Sequence, residues 1–325
     1  MLHWVEKCNK LGKDGVPFLL LCDFMLQDVQ VIPLSELDAH GVLLQFPHFS
    51  NASSTVSTVT QINLEAKPIA LSTFEKAFKL VQQELSYGNT FLCNLTASTP
   101  LSSDINLRDV YDVAQSTYKI LYQQQWLCYS PERFVKMQAN TISTNPMKGT
   151  IDASLPNAAE TILADVKETA EHYTIVDLLR NDLSMVSSYV RVKNFRYLSE
   201  IKSKGATLLQ VSSEIVGELP NDWQAHIGDI MQKLLPAGSI SGAPKKKTVS
   251  IIEEAEALLQ HKRGFYTGVA AVFDGTSLDS CVLIRFIEKL ADGSFVYKSG
   301  GGITHQSVVE QEYKELIQKI YVPSA

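Results

Sequence analysis

The 325-residue sequence predicts an α+β protein with antiparallel sheets. Three observations carry that prediction. Strand-like segments follow one another as hairpins instead of alternating singly with helices. Stretches with helical apolar periodicity separate those hairpins. Hydrophobic residues make up 45% and charged residues 20% of the chain, near the average for folded globular proteins. This composition excludes a disordered tail, a collagen-like chain and a disulfide miniprotein. On length alone two domains are expected, because single cores stop growing at roughly 250–300 residues.

The elements are justified in order. Residues 17–34, PFLLLCDFMLQDVQVIPL, read as two short strands around the polar break Gln27-Asp28. The Ser/Thr/Asn-rich stretch 49–62 reads as a surface loop or a weak edge hairpin. Phe74, Ala77, Phe78, Val81 and Leu85 recur at helical spacing over 71–85, and Gly88-Asn89 ends that helix. A strand at 90–97, a helix at 107–121 and strands at 124–129 and 133–143 follow. A long helix is predicted over about 158–180, with Leu163, Val166, Ala170 and Tyr173 as its apolar stripe and Asn181-Asp182 at its end. Strands at 187–198 and 207–217 and a helix at 223–234 come next. The small-residue loop PAGSISGAP, 236–244, leads into a helix at 245–259. Strands at 265–273, 280–289 and 294–299 run into Gly300-Gly301-Gly302, and a helix at 308–321 is the last element. No internal repeat, low-complexity tract or interdomain linker stands out.

Lys plus Arg is 29 and Asp plus Glu is 35, a formal charge of −6, which argues against a nucleic-acid binder. The cysteines Cys8, Cys22, Cys93, Cys128 and Cys281 are odd in number and lack CxxC or zinc spacing. They read as reduced, buried thiols of a cytoplasmic chain. The N-terminus carries no apolar signal core, and the run Phe18–Leu26 is far short of the ~20 residues that span a bilayer.

Two carboxylate pairs stand out. Glu168 and Glu171 in KETAEH, and Glu312 and Glu315 in EQEYKE, each lie three apart on a predicted helix and so share a face. Should those faces meet, four hard oxygen donors would need a cation, and Mg²⁺ fits. Taken alone, the pattern favours two solvated helix faces. PAGSISGAPKKKT lacks the spacing of a phosphate loop, although amides near the start of its helix can hold a carboxylate. Gly300-Gly301-Gly302 reads as a plain turn or an anion-approaching backbone. Lys148 in NPMKGT reads as a surface charge unless burial or a cation depresses its pKa, and Glu132 in SPERF is equally ambiguous alone.

The pieces occur in a particular order: SPERF (130–134), NPMKGT (145–150), KETAEHYTIVDLLRNDL (167–183), PAGSISGAPKKK (236–247), RGFYTG (263–268), IRF (284–286), GGGIT (300–304) and EYKELIQK (312–319). This ordered set resembles the chorismate-binding enzymes, over roughly residues 70–320. That family includes anthranilate, isochorismate, salicylate and aminodeoxychorismate synthases. The resemblance implies two antiparallel sheets packed as a sandwich with surrounding helices. It also implies one Mg²⁺ bound directly by Glu171 and Glu315 and through water by Glu168 and Glu312. Thr150, Ser239, Ser241, Tyr266, Arg285, Gly301, Gly302 and Lys319 match substrate-binding positions, Arg285 supplying a guanidinium fork for a carboxylate.

Within the family, lysine at position 148 resembles the aminodeoxychorismate synthase branch, where that amine adds to ring carbon 2 as the 4-hydroxyl leaves. Ammonia from a separate glutaminase subunit then displaces it, on the route to p-aminobenzoate and folate. Anthranilate synthase or another chorismate-utilising enzyme is the alternative, and a non-catalytic binding subunit a more distant one. Glu132 matches the general acid, so burial is expected to raise its pKa. Lys148 must be neutral to attack, so desolvation and the nearby Mg²⁺ are expected to lower its pKa. Leu92 falls where water-using members place a lysine base, and leucine cannot take a proton. Asn145, Gln210, Lys247 and Gln306 also depart from the family pattern.

The motifs revise the length argument. Glu132 and Lys148 lie near the start of the motif region and Arg285 near its end. One site drawn from the whole span implies a single domain over 1–325. Residues 1–70 would be a trimmed N-terminal portion completing the sheet, and 71–325 the motif-bearing core. The short N-terminal portion leads to an expectation of no tryptophan inhibition. Chorismate and a glutaminase subunit are the expected partners, with no nucleic acid or membrane.

Overall fold

The computed structural model describes residues 2–52, 62–102, 105–203 and 206–323. The chain runs α1 (His3–Lys13), β1 (Phe18–Cys22), β2 (Val29–Pro33), β3 (Val42–Phe46), β4 (Phe49–Ser50), α2 (Leu71–Ser86) and β5 (Leu92–Leu101). It continues through α3 (Leu107–Val113), β6 (Tyr118–Tyr122), β7 (Trp126–Ser130), β8 (Arg133–Gln138), β9 (Thr141–Thr144), β10 (Met147–Asp152), α4 (Ala158–Ala164) and α5 (Val166–Ser184). Then come β11 (Ser188–Ser203), β12 (Ala206–Glu218), α6 (Ile227–Leu234), β13 (Gly242–Ala243) and α7 (Lys245–Ala257). β14 (Val269–Phe273), β15 (Leu278–Val282), β16 (Phe286–Lys289), β17 (Phe295–Ile303) and α8 (Val309–Gln318) complete it.

These strands build two antiparallel sheets, as the α+β reading expects. The first has the order β10-β12-β9-β8-β15-β14-β1-β2, with β11 on the other edge of β12. The second has the order β13-β5-β17-β16-β7-β6-β3-β4. Strand β1 explains how they stack. Its FLLLC run is buried throughout because alternate side chains serve different cores. Phe18, Leu20 and Cys22 join the helix-covered core, with Trp223, Ile227 and Met231. Leu19 and Leu21 join the core between the sheets, with Ile120, Trp126 and Phe286. The outer face of the second sheet packs Leu127, Tyr129 and Tyr297 against Val110 and Tyr111 of α3.

Several elements differ from expectation. The helix expected over 107–121 stops at Val113, and YKILY forms β6. A continuous apolar run fits a doubly covered strand as well as a helix. Tyr118, Ile120 and Tyr122 face the inter-sheet core, while Leu121 faces the outer one. The helix expected over 158–180 is two helices, because the Asp165 carboxylate accepts the Glu168 amide at 2.8 Å and starts α5 afresh. Its stripe was misassigned. Val166 is 82% and Tyr173 56% exposed, whereas Ile175, Val176, Leu178, Leu179 and Leu183 are buried. The amphipathic α1 was not predicted. It lies so close to α6 that a β-carbon on Gly228 would sit 2.3 Å from the Val5 carbonyl oxygen. The glycine triplet extends β17, where Gly301 pairs with Leu95 and Gly302 with Asn94, and is not a turn. Of the loop expected over 49–62, residues 53–61 lie outside the described residues.

All five cysteines are free and buried. Among the described residues no helix is long and apolar enough to cross a membrane.

Candidate active site

Two adjoining cavities lie where β10, α5, β17 and α8 meet. The first, of ≈ 320 Å³, is lined by Glu132, Lys148, Glu171, Ser239, Tyr266, Arg285, Gly301, Gly302, Glu315 and Lys319, among others. The second, of ≈ 490 Å³, is lined by Thr150, Asp165, Glu168 and Glu312. Lys148, Gly149, Glu171, Gly302 and Glu315 line both. The two carboxylate pairs, far apart in sequence, therefore face one space.

Strand pairing places Lys148. β12 pairs with β9 along residues 215–218 and with β10 along 208–212 in one continuous register, Thr144 opposite Ile215 and Met147 opposite Ser212, so β9 and β10 follow one another along the same edge of β12 across Asn145-Pro146. The register shifts between Lys148 and Thr150, and Gly149 takes a φ of +76°, which favours glycine. A β-carbon on Gly149 would lie 3.3 Å from Glu168 Oε2. On Gly301 it would lie 3.4 Å from Glu315 Oε1 and 3.6 Å from Glu312 Oε2. Bare backbone at Gly149 leaves room for Glu168, and a β-carbon on Gly301 would only touch the α8 carboxylates.

The carboxylates are engaged within the chain. Lys148 Nζ donates to Glu171 Oε2 at 2.6 Å. Lys319 Nζ donates to the Gly300 carbonyl at 2.7 Å and pairs with Glu315 Oε1 at 2.7 Å. Ser307 Oγ donates to the buried Glu312 at 2.7 Å. Among the described residues no three carboxylate, imidazole or thiol groups are gathered as a ready ligand cluster. The donors are nonetheless all hard oxygens around one cavity, with glycines in place of blocking side chains. In kind they fit a divalent cation such as Mg²⁺.

Glu132, between β7 and β8, accepts from Ser239 Oγ at 2.9 Å. Burial raises its pKa, and the Ser239 bond and the charges of Lys319, Arg285 and Lys148 oppose that shift without cancelling it. This is the direction expected of a general acid. For Lys148, burial pushes the pKa down, while Glu171, Glu315 and Glu168 of the chain alone raise it above the usual lysine value. Mg²⁺ held by those carboxylates would offset their pull on the amine.

The other predicted residues divide. Tyr266 is buried at the cavity wall, and burial raises its pKa. Arg285 adopts φ +58°, and its guanidinium lies 5.4 Å from the centre of the Tyr321 ring. Thr150 lines the glutamate-rich cavity only. Ser241 lines neither cavity; it is fully buried and donates to the Ala237 carbonyl at 2.8 Å. Of the departing positions, Leu92, Asn145 and Gln210 line the first cavity. Lys247 instead lies 3.4 Å from Glu84, half exposed, and Gln306 is exposed. Arg133, Asn94 and Lys298 also line the first cavity and were not predicted. For Arg133 the signal was its place beside Glu132 in SPERF.

His172, next to Glu171, is 1% exposed and shares a 2.7 Å hydrogen bond with Ser213 Oγ. Burial, then Arg196 and Lys148, lower its pKa from 6.5 to about 4. A folded-state value below the unfolded one means stability is full above the unfolded value and declines as pH falls toward the folded one. Stability is expected to drop by up to about 3 kcal/mol from this group between the two values. Urea denaturation at pH 7 and pH 4.5 measures it, and His172→Gln should flatten the difference.

A family model described as chorismate binding enzyme matches residues 34–324. An uncharacterized PabA-like protein of Haemophilus influenzae is 46% identical over 324 residues, covering 99% of this chain and 97% of its own length. Aminodeoxychorismate synthase component 1 of Bacillus subtilis is 31% identical over 310 residues, covering 91% of this chain. The crystal structure of anthranilate synthase component I from Streptococcus pneumoniae superposes with a TM-score of 0.68 at 28% identity over 81% of this chain. The chain spans 63% of the Bacillus protein and 60% of the Streptococcus one.

Proposed function

This chain belongs to the chorismate-binding enzyme family, and on that premise we propose that it converts chorismate and ammonia to 4-amino-4-deoxychorismate. The reading makes it the synthase component of an aminodeoxychorismate synthase, fed with ammonia by a separate glutaminase. One observation carries it: the Lys148 amine and the Glu132 carboxyl line the same cavity. An amine there has nucleophile chemistry available, and a carboxyl with a raised pKa has a proton to give.

In this reading neutral Lys148 forms a C–N bond at ring carbon 2. Both conjugated ring double bonds shift, C1=C2 to C1=C6 and C5=C6 to C4=C5, and the 4-hydroxyl leaves as water with the Glu132 proton. Ammonia then bonds at carbon 4, both double bonds shift back, and the Lys148 amine departs. Ser239 holds the Glu132 carboxyl by its hydroxyl. Arg285, Tyr266, Lys319 and the amides of Gly301 and Gly302 would bind and orient the substrate carboxylates. Glu168, Glu171, Glu312 and Glu315 would hold Mg²⁺, which when bound neutralises the ring carboxylate and holds it in place. Leu92 places an apolar wall where a base would otherwise activate water.

Incubating the purified chain with chorismate, Mg²⁺ and ammonium, with products resolved by liquid chromatography and mass spectrometry, tests the proposal. The expected product is 4-amino-4-deoxychorismate. Anthranilate or isochorismate as the main product would overturn it.

A further inference from the structure

Arg133 sits one residue past Glu132, and its guanidinium joins three separate parts of the fold. Nε donates to Asp279 Oδ1 at 2.9 Å and to the Tyr118 hydroxyl at 3.1 Å. Nη2 donates to Asp279 Oδ2 at 3.3 Å. Nη1 donates to Asn145 Oδ1 at 3.3 Å. Asp279 belongs to β15 of the first sheet and Tyr118 to β6 of the second. Asn145 belongs to the two-residue link between β9 and β10, the strand that carries Lys148. The Asp279 carboxylate is buried and also accepts from Tyr118 at 3.1 Å, so the fork is held from behind.

We propose that Arg133 is a positioning residue: anchored on Asp279 and Tyr118, it grips Asn145 and so sets the strand bearing Lys148 against the loop bearing Glu132. The proposal rests on the roles given above to those two residues. The tie is short on both sides. Glu132 is one peptide from Arg133, and its carbonyl accepts the Val282 amide at 3.1 Å. Asn145 is three residues from Lys148, and the intervening Pro146 carbonyl accepts the Ser213 amide at 3.0 Å. Asn145 therefore adjusts Lys148 through a short, hydrogen-bonded segment. An ammonium at position 133 carries its three donors on one nitrogen instead of spreading them over a planar fork, so it cannot reproduce the separate contacts of Nε, Nη2 and Nη1 to Asp279, Tyr118 and Asn145.

A double-mutant cycle on the full chain tests this, with chorismate consumption as the readout and melting temperature as the folding control. Arg133→Lys and Asn145→Ala should each lower kcat about tenfold with KM within about twofold, and the double variant should be no worse than the weaker single one, because both remove one interaction. Additive losses, or losses confined to KM, overturn the proposal. If Arg133→Lys fails to fold, Asn145→Ala alone decides: wild-type kcat overturns it and a tenfold loss at unchanged KM upholds it. Chorismate consumption does not depend on which product forms. A wild-type chain that makes anthranilate therefore sinks the aminodeoxychorismate reading while the cycle still reports on Arg133.

Discussion

Lys148→Ala is expected to reduce 4-amino-4-deoxychorismate formation by on the order of 10³-fold or more, because the variant lacks the atom that bonds to the ring. Lys148→Arg is the informative companion. It keeps a cation opposite Glu171, which the wild-type amine meets at 2.6 Å, but offers no usable nucleophile. If the lysine were only a counter-ion for that carboxylate, arginine would restore turnover. If it is the nucleophile, both variants stay inactive, and a chorismate-derived adduct on residue 148 appears by mass spectrometry in the wild type alone. Unchanged turnover in the alanine variant would leave anthranilate chemistry as the better account.

Glu132→Gln is expected to lower kcat by about 10²–10⁴-fold with little change in KM, the span typical of losing one general acid. The amide keeps the shape and can still accept from Ser239, which donates to the wild-type carboxylate at 2.9 Å. What it lacks is a transferable proton. Stability should move the other way. The raised folded-state pKa means that ionising Glu132 costs the native state, and that cost sets in as pH rises through the interval above the unfolded value. Above that interval the uncharged glutamine should be as stable as wild type or slightly more so, which denaturant titration measures. A variant that turns over normally removes the acid role from Glu132.

Much of the candidate site was legible because its motifs occur in a recognisable order along the chain. The i, i+3 glutamates of α5 and α8 line one cavity, although each pair alone reads as a solvated face. SPERF and NPMKGT, ambiguous alone, mark Glu132 and Lys148 within that ordered set. Elsewhere the local signal was ambiguous or misread. The run YKILY looks the same whether a helix or a doubly covered strand buries it, and only the two cores on either side of β6 decide. The α5 stripe failed because Val166 and Tyr173 are apolar but exposed, while the packed face follows Ile175 and Leu179. Ser241 matched a hydroxyl loop, yet its hydroxyl turns inward to Ala237. Arg133 carried a signal in its place beside Glu132 that its charge alone did not show.

The sequence by itself determined the α+β class, most of the strand and helix positions and the family resemblance, which singles out Glu132, Lys148 and the four glutamates. Class and element positions depend on residue type and on spacings within one element, where periodicity translates directly into faces, and the resemblance depends on the order of motifs along the whole chain. Tertiary structure alone decided which faces meet. β12 aligns β9 and β10 along one edge and so carries Lys148 to where its amine meets Glu171 of α5 at 2.6 Å. β17 brings Gly301 to within contact of the α8 carboxylates. Proximity also sets the charge environment of Lys148, because Coulomb attraction depends on separation in space and three carboxylates gathered near one amine raise its pKa against the effect of burial.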